Sequence, residues 1–275
     1  MTSVKLLALD LDGTLYSDDK VISLKNKEAL AAARKKGVAI VITTGRPLRA
    51  IGDLLEELDL CHPDHYCITF NGGLVQQTTG EVLAKHALTF QEVQEIHRAL
   101  DGVGLPTDIL SDGCVYSLSS RDGRSSQYPL ANPLLTFVNI ESIDDLPRDI
   151  IYNKIVTVTS PDFLDRQLAQ LPPALFAHFE AFKSRDIIFE VMPKGVHKAA
   201  GLALLCQHLG IDARQVMAIG DEANDVSMLT WAGRGVAMAN AVASAKAAAD
   251  VVTQATNNQS GVAEAIQHYI VNEEN

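Results

Sequence analysis

Residues 6–16 read LLALDLDGTLY, and two aspartates, Asp10 and Asp12, stand one residue apart at the end of an apolar run with the pattern of a buried strand. A carboxylate taken out of water without a partner costs several kcal/mol. The placement therefore points to something for the acids to hold, and a divalent cation is the simplest candidate. Residues two apart on a strand share a face, which puts both acids on one side of the chain.

Other apolar runs also end in polar groups. Residues 38–42 lead into Thr43-Thr44-Gly45-Arg46, residues 66–70 into Asn71-Gly72-Gly73, and residues 216–219 into Gly220-Asp221-Glu222-Ala223-Asn224-Asp225. Lys194-Gly195-Val196-His197-Lys198 lies just ahead of a late helix. Each segment alone reads as a turn. Together they mark the carboxyl ends of strands, where an open parallel sheet binds its ligands.

The elements that must position these groups alternate along the chain. An apolar strand at 6–11 is followed by a helical stretch at 24–36 closed by Gly37, then by strands at 38–42 and 66–70. Continuously apolar strands separated by helices imply a parallel sheet covered on both faces. The same grammar returns with a strand at 216–219, a helix at 225–231, a short strand at 235–237 and a final helix at 262–270. The Ala-rich stretch 241–249 reads as a tightly packed helix.

The expected fold is α/β, a doubly wound parallel sheet formed by residues 1–82 and 194–275, with an inserted α+β module at 83–193. The module shows a helix around 91–100, a strand at 115–118, a helix opened by Ser160-Pro161, and a late hairpin around Ser184-Arg185-Asp186.

Composition narrows the function. An apolar fraction of 47 % over 275 residues supports a packed core, and a net charge of −11 argues against general nucleic-acid binding. The Arg34-Lys35-Lys36 run suits a helix C-terminus. No leader and no membrane-length apolar run are read, so a cytoplasmic protein without membrane partners is expected, a monomer or weak homodimer. Cys61, Cys67, Cys114 and Cys206 are spread without a CxxC, which favours reduced thiols. Cys61, His62, His65 and Cys67 invite a zinc reading, but a strand from Tyr66 separates the ligands. No GxxxxGK[ST] segment is present for P-loop chemistry.

The chain resembles the haloacid dehalogenase superfamily, and more closely its Cof-type, YidA-like branch of sugar phosphatases. The segments that carry the resemblance are DLDGT at 10–14, TTGRP at 43–47, YCITFNGGLVQ at 66–76, KGVHK at 194–198 and GDEAND at 220–225. It implies an Mg²⁺-dependent phosphatase in which Asp10 attacks phosphorus and Asp12 serves as acid and base. Asp10, the backbone carbonyl of Asp12, and Asp221 would hold the metal. The phosphoryl oxygens would receive donors from the N–H groups of Leu11 and Gly45, the Thr44 hydroxyl, the Lys198 ammonium and the Asn224 amide.

Several positions stay open on sequence alone. Lys194 rivals Lys198, which is preferred because the family's lysine opens the following helix. Asp225 is expected to support the metal or its waters, Glu222 to be solvated, and His197 to be a surface histidine. Arg46 could clamp an anion or brace the loop before Pro47.

The resemblance makes the insertion a cap over the phosphate site, which implies small phosphorylated metabolites, sugar phosphates above all, as substrates. A phosphomutase of the same superfamily is the nearest alternative. A phospho-accepting signalling or sensor protein is the other, and Asp12 and the insertion weigh against it.

Overall fold

In the computed structural model, which describes residues 3–272, the strand Leu6–Leu9 (β1) is buried on both faces. A strand without a polar face must lie inside a covered sheet. The chain runs from β1 through Ala39–Thr43 (β2), Tyr66–Thr69 (β3), Leu74–Gln77 (β4) and Val82–Lys85 (β5). It then builds a second sheet from Thr107–Ser111 (β6), Cys114–Leu118 (β7), Thr136–Asn139 (β8), Lys154–Val158 (β9), Phe179–Arg185 (β10) and Ile188–Pro193 (β11). It returns to the first with Val216–Gly220 (β12), Arg234–Ala237 (β13) and Val251–Val252 (β14).

The first sheet has the order β14-β13-β12-β1-β2-β3-β4-β5. It is parallel from β14 to β3 and turns antiparallel at β4. The fold is thus the expected α/β doubly wound sheet. The chain leaves β1 toward β2 and comes back on the other side at β12, so the strand order reverses beside β1, where such sheets open a ligand crevice.

Local chemistry sets the helices of this sheet. Ser23 caps Leu24–Lys35 by accepting from the Asn26 N–H at 3.2 Å, and Arg34 and Lys35 occupy its last turn. Asn26 is buried, and its Oδ1 accepts from the Ala263 N–H at 2.9 Å, tying this helix to Gly261–Ile266. His197 caps Lys198–Leu209 through Nδ1, which accepts from the Ala200 N–H at 3.2 Å, and Gly210 ends it in the left-handed region.

The described chain divides into two compact units. One comprises residues up to Arg46, Ile51–Ala84 and the chain from His197 onward; the other comprises Pro47–Ala50 and Lys85–Val196. In the second unit the sheet order is β10-β11-β9-β6-β7-β8, antiparallel except between β7 and β8. Helices Phe90–Gly102, Pro161–Leu168 and Pro173–His178 bring Val93, Ile96, Leu100, Leu164 and Leu175 into one apolar cluster with Ile109, Ile155, Phe189 and Val191 of the strands.

No strand is read from the sequence at β6, β8 or β9, although residues 155–158 of β9, Ile-Val-Thr-Val, are β-branched throughout. Asp108 is the second residue of β6 and Lys154 the first of β9, and both are buried polar side chains. Lys154 and Glu190 form a buried ion pair at 2.7 Å, and Ser117 Oγ donates to Asp108 Oδ1 at 2.6 Å. No helix among the described residues is long and apolar enough to cross a membrane.

Asp108 provides a test of this unit. Burial pushes its carboxyl up to about 6, only partly offset by hydroxyls of Ser117 and Ser126. An acid whose folded pKa exceeds its unfolded value binds the extra proton in the native state, so stability falls as pH rises between those two values and the penalty persists above the folded one. Asp108→Asn removes this penalty. We expect β6 and β9 amides in the variant to gain hydrogen-exchange protection of about 2–3 kcal/mol at pH 7.5 and almost none at pH 4.

Candidate active site

Strand register assembles the site. Leu9 pairs with Ile42 of β2 and Ile219 of β12, so the residues that follow, Asp10, Thr43 and Gly220, emerge together at one edge. The Asp10 N–H donates to Ile219 O at 3.0 Å, which fixes the loop at its first residue. Gly13 then turns the chain with φ +82°, and a Cβ there would run into the Asp221 carboxylate. Its absence lets Thr14 Oγ1 reach Asp221 Oδ1 at 2.6 Å.

Two of the three buried acids share one cation, and the third stands beside them. Lys198 Nζ lies 2.5 Å from Asp10 Oδ1 and 2.5 Å from Asp225 Oδ1, with its side chain wholly buried. Asp225 Oδ2 accepts from the N–H groups of Asp221 and Glu222, both at 2.9 Å, so Asp225 braces the lysine with one oxygen and its own loop with the other. A Cβ on Gly220 would also press on Asp225, which makes glycine the residue that admits it. Carboxylate oxygens of Asp10, Asp221 and Asp225 all lie within 4.8 Å of one another.

Electrostatics follow from that crowding. Burial, together with the neighbouring Asp225 charge, pushes Asp10 up to about 8 despite Lys198. Burial pushes Asp221 up to about 7, with Thr14 opposing and Asp225 and Glu222 adding to it. Burial alone would favour neutral Lys198, but Asp10 and Asp225 outweigh it and raise its pKa.

Asp12 lives in a different setting. Arg46 grips it with Nε to Oδ2 at 2.9 Å and Nη2 to Oδ1 at 2.6 Å, and Lys20 Nζ adds a contact to Oδ1 at 2.6 Å. Its burial raises the pKa, but these donors win and hold the carboxyl below its usual range. Arg46, expected either to clamp an anion or to brace its loop, holds a protein carboxylate in bidentate fashion. Lys20 has no motif to announce it.

The remaining expected groups are placed as follows. Thr44 is buried at the end of β2, and its Oγ1 accepts from the Arg46 N–H at 3.2 Å. Leu11 is buried, its carbonyl accepting from the Thr14 and Tyr16 N–H groups. Gly45 packs against the Asn71 amide. Asn224 is exposed and donates from Nδ2 to Asn71 Oδ1 at 3.1 Å.

Of the two lysines, Lys198 meets Asp10, whereas the Lys194 ammonium is exposed and 3.5 Å from Glu180 in the second unit. Glu222 is exposed. His197, also exposed, caps its helix. All four cysteines are free thiols, and the His62 and Cys61 region forms no metal-ligand group among the described residues. Thr14, Lys20 and Asn71 join the site without a role expected from sequence; Thr14 and Asn71 lie inside the quoted motifs, which was the available signal.

Removing the shared ammonium should leave two buried acids unpaired. Lys198→Met is expected to destabilise the protein by about 3–5 kcal/mol, measured by denaturant unfolding without added metal. Adding Asp225→Asn to that variant should restore part of the loss. Independent, additive losses would show that the three groups are not one charge network.

Comparison with known proteins agrees with this geometry. The family model for haloacid dehalogenase-like hydrolases matches residues 7–266. A Streptococcus pyogenes serotype M6 protein that bears a provisional phosphatase name is 35 % identical over 274 residues, covering 98 % of this chain and 100 % of the relative. A haloacid dehalogenase-like hydrolase from Bacteroides thetaiotaomicron superposes with a TM-score of 0.84 at 30 % identity, covering 97 % of this chain and 99 % of that one. A subclass IIB sugar phosphatase of the superfamily superposes with a TM-score of 0.78 at 27 % identity, over 97 % and 99 % of the two chains. With the acids, lysine and strand ends arranged as above, the chain belongs to the haloacid dehalogenase-like hydrolase family, in its Cof-type phosphatase branch.

Proposed function

We propose that this protein is an Mg²⁺-dependent phosphatase that hydrolyses small phosphorylated metabolites, sugar phosphates above all, through an aspartyl-phosphate on Asp10. One observation carries the reading: three carboxylates within 4.8 Å of one another, beside a buried ammonium. Once all three are ionised, the carboxylates exceed the one ammonium by two negative charges, the amount a divalent cation cancels. The donor set is all hard oxygen, without thiolate or imidazole, which suits Mg²⁺.

In this reading Asp10, Asp221 and the backbone carbonyl of Asp12 would hold the ion, with Asp225 bracing Lys198. The ion supplies charge neutralisation for a phosphate dianion facing an anionic nucleophile. Asp10 attacks phosphorus in line, forming an O–P bond as the ester P–O bond breaks and its alkoxide takes a proton from Asp12. Water then attacks the aspartyl-phosphate and gives a proton back to Asp12, and the P–O bond to Asp10 breaks to release phosphate. Lys198, Thr44, Asn224 and the N–H groups of Leu11 and Gly45 serve the phosphoryl oxygens.

The hold of Arg46 and Lys20 on Asp12 favours its carboxylate, the form that receives a proton from water. Donating a proton to the leaving group therefore requires Asp12 to give up these partners when substrate enters. Residues 83–193 are assigned the role of a cap that sets specificity. The solved sugar phosphatase of similar fold supports the sugar phosphate class.

A panel of phosphate esters, assayed with and without Mg²⁺, tests the proposal. We expect metal-dependent phosphate release from hexose and pentose phosphates, abolished in Asp10→Asn. Release that persists in the variant removes Asp10 from the mechanism, and isomerised sugar phosphate in place of free phosphate makes the protein a mutase. Asp12→Asn should slow alkyl phosphates by about 10²–10⁴-fold and p-nitrophenyl phosphate, whose leaving group needs no proton, far less.

A further inference from the structure

The turn after β3 is held in a conformation that ordinary side chains avoid. Phe70 and Asn71 lie at φ 52° and 56°, and Gly72 follows at φ 102°. Two successive non-glycine residues in the left-handed region carry a cost that the surroundings must impose. Those surroundings are the elements that bear the phosphoryl donors. The Asn71 N–H donates to Thr44 O at 3.0 Å. A Cβ at Gly45 would stand 3.1–3.4 Å from the atoms of the Asn71 amide. A Cβ at Gly72 would overlap the His197 carbonyl, one residue before Lys198, and Gly201 in the first turns of the same helix comes against Gly72 as well.

The Asn71 side chain, 5 % exposed, reaches the fourth element: its Oδ1 accepts from Asn224 Nδ2 at 3.1 Å. A carboxamide has an oxygen end and a nitrogen end, and only the nitrogen end can donate to a phosphoryl oxygen. With the Asn71 oxygen taking one Nδ2 hydrogen, the amide of Asn224 is fixed with its second Nδ2 hydrogen available as a donor. Reversing that amide would set two oxygens against each other. The left-handed backbone is what brings the Asn71 oxygen to this position.

We infer that Asn71 is a positioning residue for phosphoryl transfer, which orients the Asn224 amide as a donor and keys the Thr44 loop to it. This rests on the phosphatase reading above. It gives a chemical reason for the Asn-Gly pair after β3: asparagine tolerates the left-handed backbone and supplies the oxygen, and glycine permits the helix bearing Lys198 to close on the turn.

A double-mutant cycle between positions 71 and 224 tests it. Asn71→Gly keeps the backbone conformation and deletes only the acceptor, so thermal unfolding should stay within a few degrees of wild type. Asn71→Ser, too short to reach Asn224, is a second probe should glycine loosen the turn. Steady-state kinetics on p-nitrophenyl phosphate with Mg²⁺ should show kcat lowered about tenfold or more with KM changed less than threefold. Inhibition by vanadate, which mimics the transferring phosphoryl group, should weaken in parallel.

The decisive expectation is that Asn71→Gly/Asn224→Ala is no slower than Asn224→Ala alone, within about twofold. Additive losses, or wild-type kcat and vanadate inhibition in Asn71→Gly, overturn the role of Asn71 while leaving the phosphatase standing. Wild-type protein without Mg²⁺-dependent, Asp10-dependent turnover overturns the parent reading and this one with it.

Discussion

One ammonium between two buried carboxylates organises this molecule. Lys198 is wholly buried and touches Asp10 and Asp225 at 2.5 Å each, while Asp221 stands beside them. Charges so placed are tolerable only if their partners are held in place, because the loss of hydration has to be offset by short, well-aligned contacts. The surrounding structure meets that requirement piece by piece. A helix cap fixes Lys198, two backbone N–H groups fix Asp225, the Thr14 hydroxyl fixes Asp221, and strand pairing fixes Asp10.

The two aspartates of the first loop are neighbours in sequence and opposites in environment. Asp10 is buried among like charges, and its pKa is pushed up. Asp12, partly exposed, is held down by Arg46 and Lys20. Two chemically identical side chains are thereby shifted in opposite directions by burial and partners alone.

Glycines at 13, 45, 72 and 220 serve the same end as the charges. Each stands where a methyl group would meet another part of the site: the Asp221 carboxylate, the Asn71 amide, the His197 carbonyl or the Asp225 side chain. Close approach of loops from distant parts of the chain is what concentrates the acids, and the concentration of acids is what creates demand for a cation. The second unit solves a separate problem, burying its own Lys154–Glu190 pair and Asp108 in an independent sheet.

Sequence by itself determined the strand ends and what stands on them. Apolar runs broken by Asp, Thr-Gly, Asn-Gly and Gly-Asp are local patterns, and local patterns survive in one dimension. The parallel sheet was legible for the same reason, whereas β6, β8 and β9 were not assigned: β6 carries a buried Asp108, β8 is four residues long and mostly exposed, and the Ile-Val-Thr-Val run of β9 was a signal passed over. Only the tertiary structure put Lys198, and not Lys194, beside Asp10, gave Arg46 and Lys20 their common partner, and tied Thr14 to Asp221 and Asn71 to Asn224. Those contacts join residues 34 to 207 positions apart, Lys20 alone excepted. No spacing rule spans such distances, since which loops meet is set by strand order and register, and these are properties of the packed sheet.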